Sequence, residues 1–415
     1  MFFKETDFQE TPIGRFPRDW RVARVGEIME FVKGKKPEEM TDEYEENCLP
    51  YLSTEYLREN KATKFAKNPK DVVLASDGDL ILLWDGSNAG ELFLGKRGVL
   101  SSTMTKIELR EKTYDQRFLF YLLKIKENYL KEQTRGTGIP HVDGFVLSNL
   151  IIPQPLLQEQ YKIAEILSTV DEAIQKTNEI IAKTERLKKG LMQTLLTKGI
   201  GHKEFKDTEI GRIPKNWEVV KLEDVVSEAK PGFACGKRDE NGILQLRMDN
   251  IEPEGWINVE AGVKVPIPED VADYILKPGD ILFNNTNSID LIGKTAIFRG
   301  EFSRCVYSNH LTRIRVNQNK VIPEWVLYLL IRKWELSVFK AICHRHVHQA
   351  GINNEDLLRL KIPLPSLQEQ QKITSIILTV DNKIKLERKE KVRLERIKQG
   401  LMDLLLTGKI RVKVR

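Results

Sequence analysis

The chain has only four cysteines, Cys48, Cys235, Cys305 and Cys343, and none forms a Cys-x-x-Cys pair. Isolated cysteines fit reduced thiols in a cytosol better than a disulfide framework or a cysteine zinc site. Long apolar runs are also missing. Stretches such as Leu80-Ile81-Leu82-Leu83-Trp84 fall far short of the ~20 residues of a membrane helix. The opening Met1-Phe2-Phe3-Lys4-Glu5 lacks a signal-peptide core, so a cytoplasmic protein with no membrane association is expected. Net charge is only +6, and residues 366–415 carry thirteen Lys/Arg against six Asp/Glu. The rest of the chain is therefore close to neutral, and any nucleic-acid surface must be a local patch.

Catalytic signatures are absent too. There is no Asn/Asp-Pro-Pro-Tyr/Phe methyltransferase motif, and no acidic–lysine nuclease cluster is evident. Gly90-Glu91-Leu92-Phe93-Leu94-Gly95-Lys96-Arg97 approaches a phosphate loop, but Arg97 stands where a metal-binding Ser/Thr belongs and its interior reads as a strand. Gly293-Lys294-Thr295 lacks the first glycine, because position 288 is Ser. Cys343-His344-Arg345-His346-Val347-His348 has alternate histidines able to chelate, yet only His141 matches them earlier in the chain. A basic loop is the better reading, and no metal site or bound cofactor is expected.

What the sequence does contain is a duplication. Thr11-Pro12-Ile13-Gly14-Arg15-Phe16-Pro17-Arg18-Asp19-Trp20 returns as Thr208-Glu209-Ile210-Gly211-Arg212-Ile213-Pro214-Lys215-Asn216-Trp217, an offset of 197. Gly78-Asp79-Leu80 returns at Gly279-Asp280-Ile281, offset 201, and Tyr121-Leu122-Leu123 at Tyr328-Leu329-Leu330, offset 207. From Ile152-Pro153-Gln154-Pro155 and Ile362-Pro363-Leu364-Pro365 onward the offset is fixed at 210. Residues 158–200 and 368–410 align without a gap and are identical at 20 of 43 positions. One part of each copy drifts, and the other keeps its length.

The fixed part reads as helix over 157–197 and 367–407, free of proline. Ile163, Leu167, Val170, Ile174, Ile181, Leu191 and Leu195 follow a coiled-coil seam, repeated as Ile373, Ile377, Val380, Ile384, Leu394, Leu401 and Leu405. About 40 residues at 1.5 Å each span roughly 60 Å. Such a helix cannot cover its stripe on a small domain of its own, so an antiparallel internal pair is expected, with a coiled coil between two chains as the alternative. The drifting parts read as mixed α/β (α+β) modules. Their strands lie near Val72-Val73-Leu74, 79–84, 106–109, 281–283, 295–298 and 313–316, with helices over 117–131 and 324–340. The expected fold is two tandem domains (1–155 and 201–365) and two long antiparallel coiled-coil helices (156–200 and 366–415) in a pseudo-two-fold repeat.

Pro-x-Pro-x-Leu-Gln-Glu-Gln-x-x-Ile at 153–163 and 363–373 resembles the specificity subunits of type I restriction–modification systems. So do the domain openings at Trp20 and Trp217 and the Gly-Leu-Met-x-x-Leu-Leu-Thr helix ends. The resemblance implies two target-recognition domains, each reading one half of a split double-stranded DNA sequence. It also implies helices that act as spacer and dock two modification (methyltransferase) subunits, together with restriction subunits. S-adenosylmethionine, ATP and Mg would belong to those partners, and this chain would be no enzyme. A non-catalytic protein adaptor that never touches DNA is the alternative.

The resemblance does not name base contacts, so these follow from chemistry: Arg/Lys for phosphate and guanine, Asn/Gln for adenine, Ser/Thr as adaptable partners. The first domain offers Lys33, Lys35, Lys36, Ser53, Thr54, Arg58, Asp85, Ser87, Asn88, Arg135, Thr137 and His141. The second offers Lys237, Arg238, Arg247, Asp249, Asn250, Asn284, Asn285, Thr286, Asn287, His344, Arg345, His346, His348 and Gln349. Asn284-Asn285-Thr286-Asn287 reads as an exposed polar loop after a strand. The final Lys409, Arg411, Lys413 and Arg415 read as a phosphate or partner contact, or as a solvated tail.

Overall fold

The computed structural model describes residues 2–136, 138–345 and 349–413. The chain divides into two compact units, residues 1–178 with 389–415, and residues 179–388. The boundary cuts through both long helices, Leu157–Lys198 and Leu367–Leu405.

Each unit is built on the same antiparallel four-stranded sheet. In the first unit the order is Leu92–Leu94, Leu80–Leu83, Met104–Leu109, Met29–Lys33. In the second it is Thr295–Ile297, Ile281–Asn284, Leu311–Val316, Val226–Pro231. A smaller sheet repeats as well. Cys48–Leu52 runs parallel to Gly98–Leu100, as Ile243–Leu246 runs parallel to Cys305–Tyr307. The expected strands are present with shifted ends, and the stretch from Gly90 holds strand Leu92–Leu94. Both expected domain helices are broken. One divides at Lys126 into Gln116–Ile125 and Glu127–Glu132. The other divides into Pro323–Glu335 and Val338–Ile342 because Ser337 takes φ +58°, which no α-helix accommodates.

The strand after each opening tryptophan pairs with the strand that leads into the long helix, Arg21–Arg24 with Ile151–Gln154 and Glu218–Lys221 with Lys361–Leu364. The Leu-Gln-Glu-Gln motif then fastens domain to helix. Gln160 accepts a bond from Asp115 N and donates to Thr113 O and Pro155 O. Gln370 repeats this with Ile322 N, Lys320 O and Pro365 O. Glu159 is fully buried and takes the Trp20 indole N–H at 3.1 Å. Its counterpart Glu369 takes the Trp217 indole N–H at 3.0 Å.

Within each unit the two helix segments run antiparallel. In the first, Glu159 meets Arg411 and Asp171 meets Lys398. In the second, Lys188 meets Asp381 and Glu185 meets Arg388. All of the seam positions named above are buried or half-buried. The expectation that the stripe needs only the other helix requires correction. Ile163, Ala164 and Leu167 share a core with Trp20, Phe118 and Ile152, joined by Met402, Leu405 and Leu406. Met192, Leu196, Ile373 and Ile377 likewise enter the core around Trp217 and Trp325. Helix ends are buried by domain and helix together, which widens the apolar face beyond a narrow seam.

The basic tail is also corrected. Ile410–Val412 pairs with Phe2–Lys4, and Arg411 is buried. Its guanidinium reaches Glu159, Asp19 and Glu5 at 2.6–2.9 Å. Burial alone would lower its pKa, but the bonds from Glu159 and Asp19 outweigh that and hold it above the ordinary value. Lys409 and Lys413 are exposed, and Arg415 lies outside the described residues. Replacing Arg411 with Ala leaves the Glu159 carboxylate buried without its cation. We expect a loss of roughly 3–5 kcal/mol of first-unit stability. Urea unfolding followed by Trp20 fluorescence measures it, and a solvated tail would leave the midpoint unchanged.

Candidate nucleic-acid interface

In the first unit the loops at one end of the main sheet converge. Lys33 closes its strand, and its Nζ lies 2.9 Å from Asp85 Oδ2 in the turn that follows Leu80–Leu83. Asp85 bridges to His141, and His141 exchanges both backbone bonds with Arg135 at 2.8 and 2.9 Å. Gly86 N donates to Pro140 O at 2.9 Å, tying that turn to the segment beside the Arg135–His141 pair. The Arg135 guanidinium pairs with Asp143, whose carboxylate caps helix Gly144–Asn149. Ser87 and Asn88 are exposed on the same turn, and Lys35 and Lys36 are exposed just past Lys33. Four candidates from three segments, Lys33, Asp85, Arg135 and His141, thus form one group.

Gly34 enforces this geometry. A Cβ there would meet Ser101 O at 2.1 Å, and at Gly232 in the second unit it would meet Tyr307 O at 2.2 Å. Sequence reading missed this pair. A common glycine just past the first sheet strand of each copy was the available signal.

Other first-unit candidates are engaged elsewhere. The Ser53 hydroxyl caps helix Thr54–Glu59 by accepting from Tyr56 N. Arg58 forks onto Glu91, and hydrogen bonding to that carboxylate holds its pKa up. Thr54 is half-buried, and Thr137 lies outside the described residues.

In the second unit Thr286–Asn287 pairs with Ala350–Gly351, which pairs with His344–Arg345. Two of the segments chosen from sequence are thereby brought together. Here too the first residue of the hairpin reaches the cap of the next helix. His344 Nε2 lies 2.8 Å from Asp356 Oδ2 and 3.4 Å from Nδ2 of the cap Asn353. Arg345, Gln349, Lys237, Arg238 and Asp249 are exposed, whereas His346 and His348 lie outside the described residues. Among the described residues no group of three or more His, Cys, Asp or Glu is placed to hold a metal ion.

The reading of 284–287 as an exposed loop is overturned. Asn284, Asn285 and Asn287 are buried, because the strand runs on through Asn284 and re-pairs at Thr286. Asn285 Nδ2 donates to Asn309 O and Thr312 Oγ1, and the Thr286 hydroxyl donates to Asn285 Oδ1. Asn250 is also buried, bonded to Arg247 N and Asn258 O. Arg247 is half-buried against Cys235 O and Gln245 Oε1. Polar residues at a strand end read as a loop in one dimension, and their fate is set by partners distant in the chain. Lys294, from the incomplete phosphate-loop motif, is buried and donates to Ile251 O at 2.8 Å. Burial lowers its pKa, and it faces no open loop.

Residues 17–186 and 214–396 each match the type I restriction modification DNA specificity domain. The chain belongs to that family. The type I restriction enzyme MjaVIII specificity subunit of Methanocaldococcus jannaschii is 42% identical over 425 residues, covering 100% of this chain and 98% of that protein. The putative MjaX specificity subunit of the same organism is 31% identical over 100% of this chain and 99% of that protein. The crystal structure of an S subunit from a type I system of M. genitalium shares the fold at TM-score 0.63 and 15% identity, covering 95% of this chain and 97% of that one.

This specificity subunit carries one family domain per repeat, and each match extends from the recognition domain into its long helix. The two candidate faces rest on the same sheet and are furnished differently: exposed cations on shielded carboxylates in the first unit, buried amides beside the exposed His344 and Arg345 in the second. Replacing Asn285 with Ala is therefore expected to cost about 1–3 kcal/mol in a denaturation midpoint without altering which bases are read. A changed recognition sequence at full stability would contradict the burial.

Proposed function

We propose that the chain is the non-catalytic reading subunit of a type I restriction–modification complex in the cytoplasm, with each unit reading one half of a split double-stranded DNA target. The observation that carries this reading is the repeated loop group. On one sheet scaffold, used twice, the segment after Leu80–Leu83 or Ile281–Asn284 meets a paired segment that follows the domain helices, joined in the first unit by the strand end at Lys33, and exposed cations stand there. These are Lys33 and Arg135 in the first unit, with His141 beside them, and Arg345 in the second, with His344. Phosphate contacts need such cations, and base contacts need side chains that differ between the two readers. The long helices serve as spacer and as docking surface for two modification subunits. Those subunits supply S-adenosylmethionine-dependent adenine methylation, and restriction subunits supply ATP- and Mg-dependent translocation and cleavage.

The test is co-expression with the modification subunit, followed by sequencing of methylated adenines. The expected result is two short specified halves separated by a gap of fixed length. Methylation that does not depend on this chain, or one continuous site, overturns the reading.

In the reconstituted complex, Lys33→Ala and Arg135→Ala should each lower the log–log salt slope of DNA binding by about 1. An unchanged slope removes that side chain from the phosphate contacts.

Removing four residues from each long helix shortens it by ~6 Å. That should shift the preferred gap by about two base pairs at ~3.4 Å each, with the half-sites unchanged. An unchanged gap contradicts the spacer role.

A further inference from the structure

Each unit contains a group of three polar side chains that the interface does not use. Tyr121, on helix Gln116–Ile125, donates its hydroxyl to Asp171 at 2.7 Å. Asp171 lies on the long helix that follows that domain, and its other oxygen is 2.6 Å from Lys398 of the antiparallel long helix. In the second unit Tyr328, on helix Pro323–Glu335, donates to Asp381 at 2.9 Å, and Asp381 lies 2.6 Å from Lys188. The aspartates and lysines fall at the fixed offset of 210, and the tyrosines at 207. Each group therefore joins three helices: the recognition domain's own, the long helix after it, and the antiparallel partner segment.

In the first unit Asp171 and Lys398 are 35% and 24% exposed, whereas in the second the placement is costly unless it does something. The side chains of Lys188 and Asp381 are only 10% and 4% exposed. Burial pushes the Asp381 carboxyl above its usual range, against the opposing pull of Lys188. Burial also pushes both phenols up, so they remain hydrogen-bond donors. Apolar residues of similar size would pack at least as stably. A seam of Leu, Ile and Val tolerates slippage by one heptad, whereas a buried polar group does not. A seven-residue slip would put Lys188 opposite Thr374 or Arg388, and Asp381 opposite Ile181 or Leu195. Either slip strands a buried charge. The tyrosine adds the domain to the same lock, because its hydroxyl is aligned only when the domain helix sits over the correct turn.

We infer that the two Tyr–Asp–Lys groups are positioning residues that set helix register and recognition-domain orientation together, and so hold the DNA gap to a single length. This rests on the split-target reading proposed above. The experiment compares methylated sites across a genome for the wild-type complex and for Tyr121→Phe/Tyr328→Phe, which removes two hydroxyls and keeps the ring packing. We expect unchanged half-site sequences, but an increase of about 10-fold in the share of sites whose gap is too long or too short. Lys188→Asp should widen the distribution further, and Lys188→Asp/Asp381→Lys should narrow it again. A Lys188→Asp chain that fails to fold leaves the tyrosine variant as the deciding measurement. A wild-type split site whose gap distribution is unchanged in the tyrosine variant overturns the inference and leaves the split-target reading standing. A wild type that methylates no split site overturns both.

Discussion

A carboxylate at the start of each long helix, buried at Glu159 and half-buried at Glu369, is the constraint on which the rest of the structure depends. Glu159 and Glu369 sit where the domain opening, the domain exit and the end of the other long helix come together. Each accepts an indole N–H, from Trp20 or Trp217, and each has a further partner just past the end of the other long helix. In the first unit that partner is the Arg411 guanidinium, which follows the second long helix. In the second it is the His202 ring, which follows the first long helix and lies 2.7 Å from Glu369. A carboxylate in such a place is tolerated only when paired and hydrogen-bonded. The pairing obliges each copy of the repeat to be completed by residues from the other. Hence the compact units cut across the sequence repeat and divide both helices.

That exchange accounts for the uneven drift of the duplication. From the Pro-x-Pro entry to the helix end, every residue is counted between two anchored points, so an insertion would move Arg411 or His202 off its carboxylate. Within the recognition domains the four-stranded sheet and its parallel pair are kept, and the loops between them lengthen freely. Loop insertions of that kind cost little. The second domain also gains its own fastening, with Trp256 between Arg299 and Lys385 at 4.1 Å from each, and Glu254 on Arg388.

The two candidate loop groups show how far chemistry chosen from sequence can reach. Lys33, Asp85, Arg135 and His141 were selected singly, and the fold assembles them. Thr286, Asn287, His344 and Arg345 were likewise chosen separately and share a small sheet with Ala350–Gly351. Asn250, Asn284, Asn285 and Asn287 have the same chemistry and went inside. Amides suit base edges and buried strand ends equally well, so composition could not separate the two uses.

The sequence by itself determined the repeat, the two helices and their length, and the family to which the chain belongs. Those properties are local: periodicity and the absence of proline fix a helix, and a fixed offset marks a conserved length. Tertiary structure alone decided which half of each helix belongs to which unit, that Arg411 is a buried anchor, and which asparagines face outward. Each of those outcomes depends on pairing across long stretches of chain, where burial and charge compensation, rather than neighbouring residues, choose the partner.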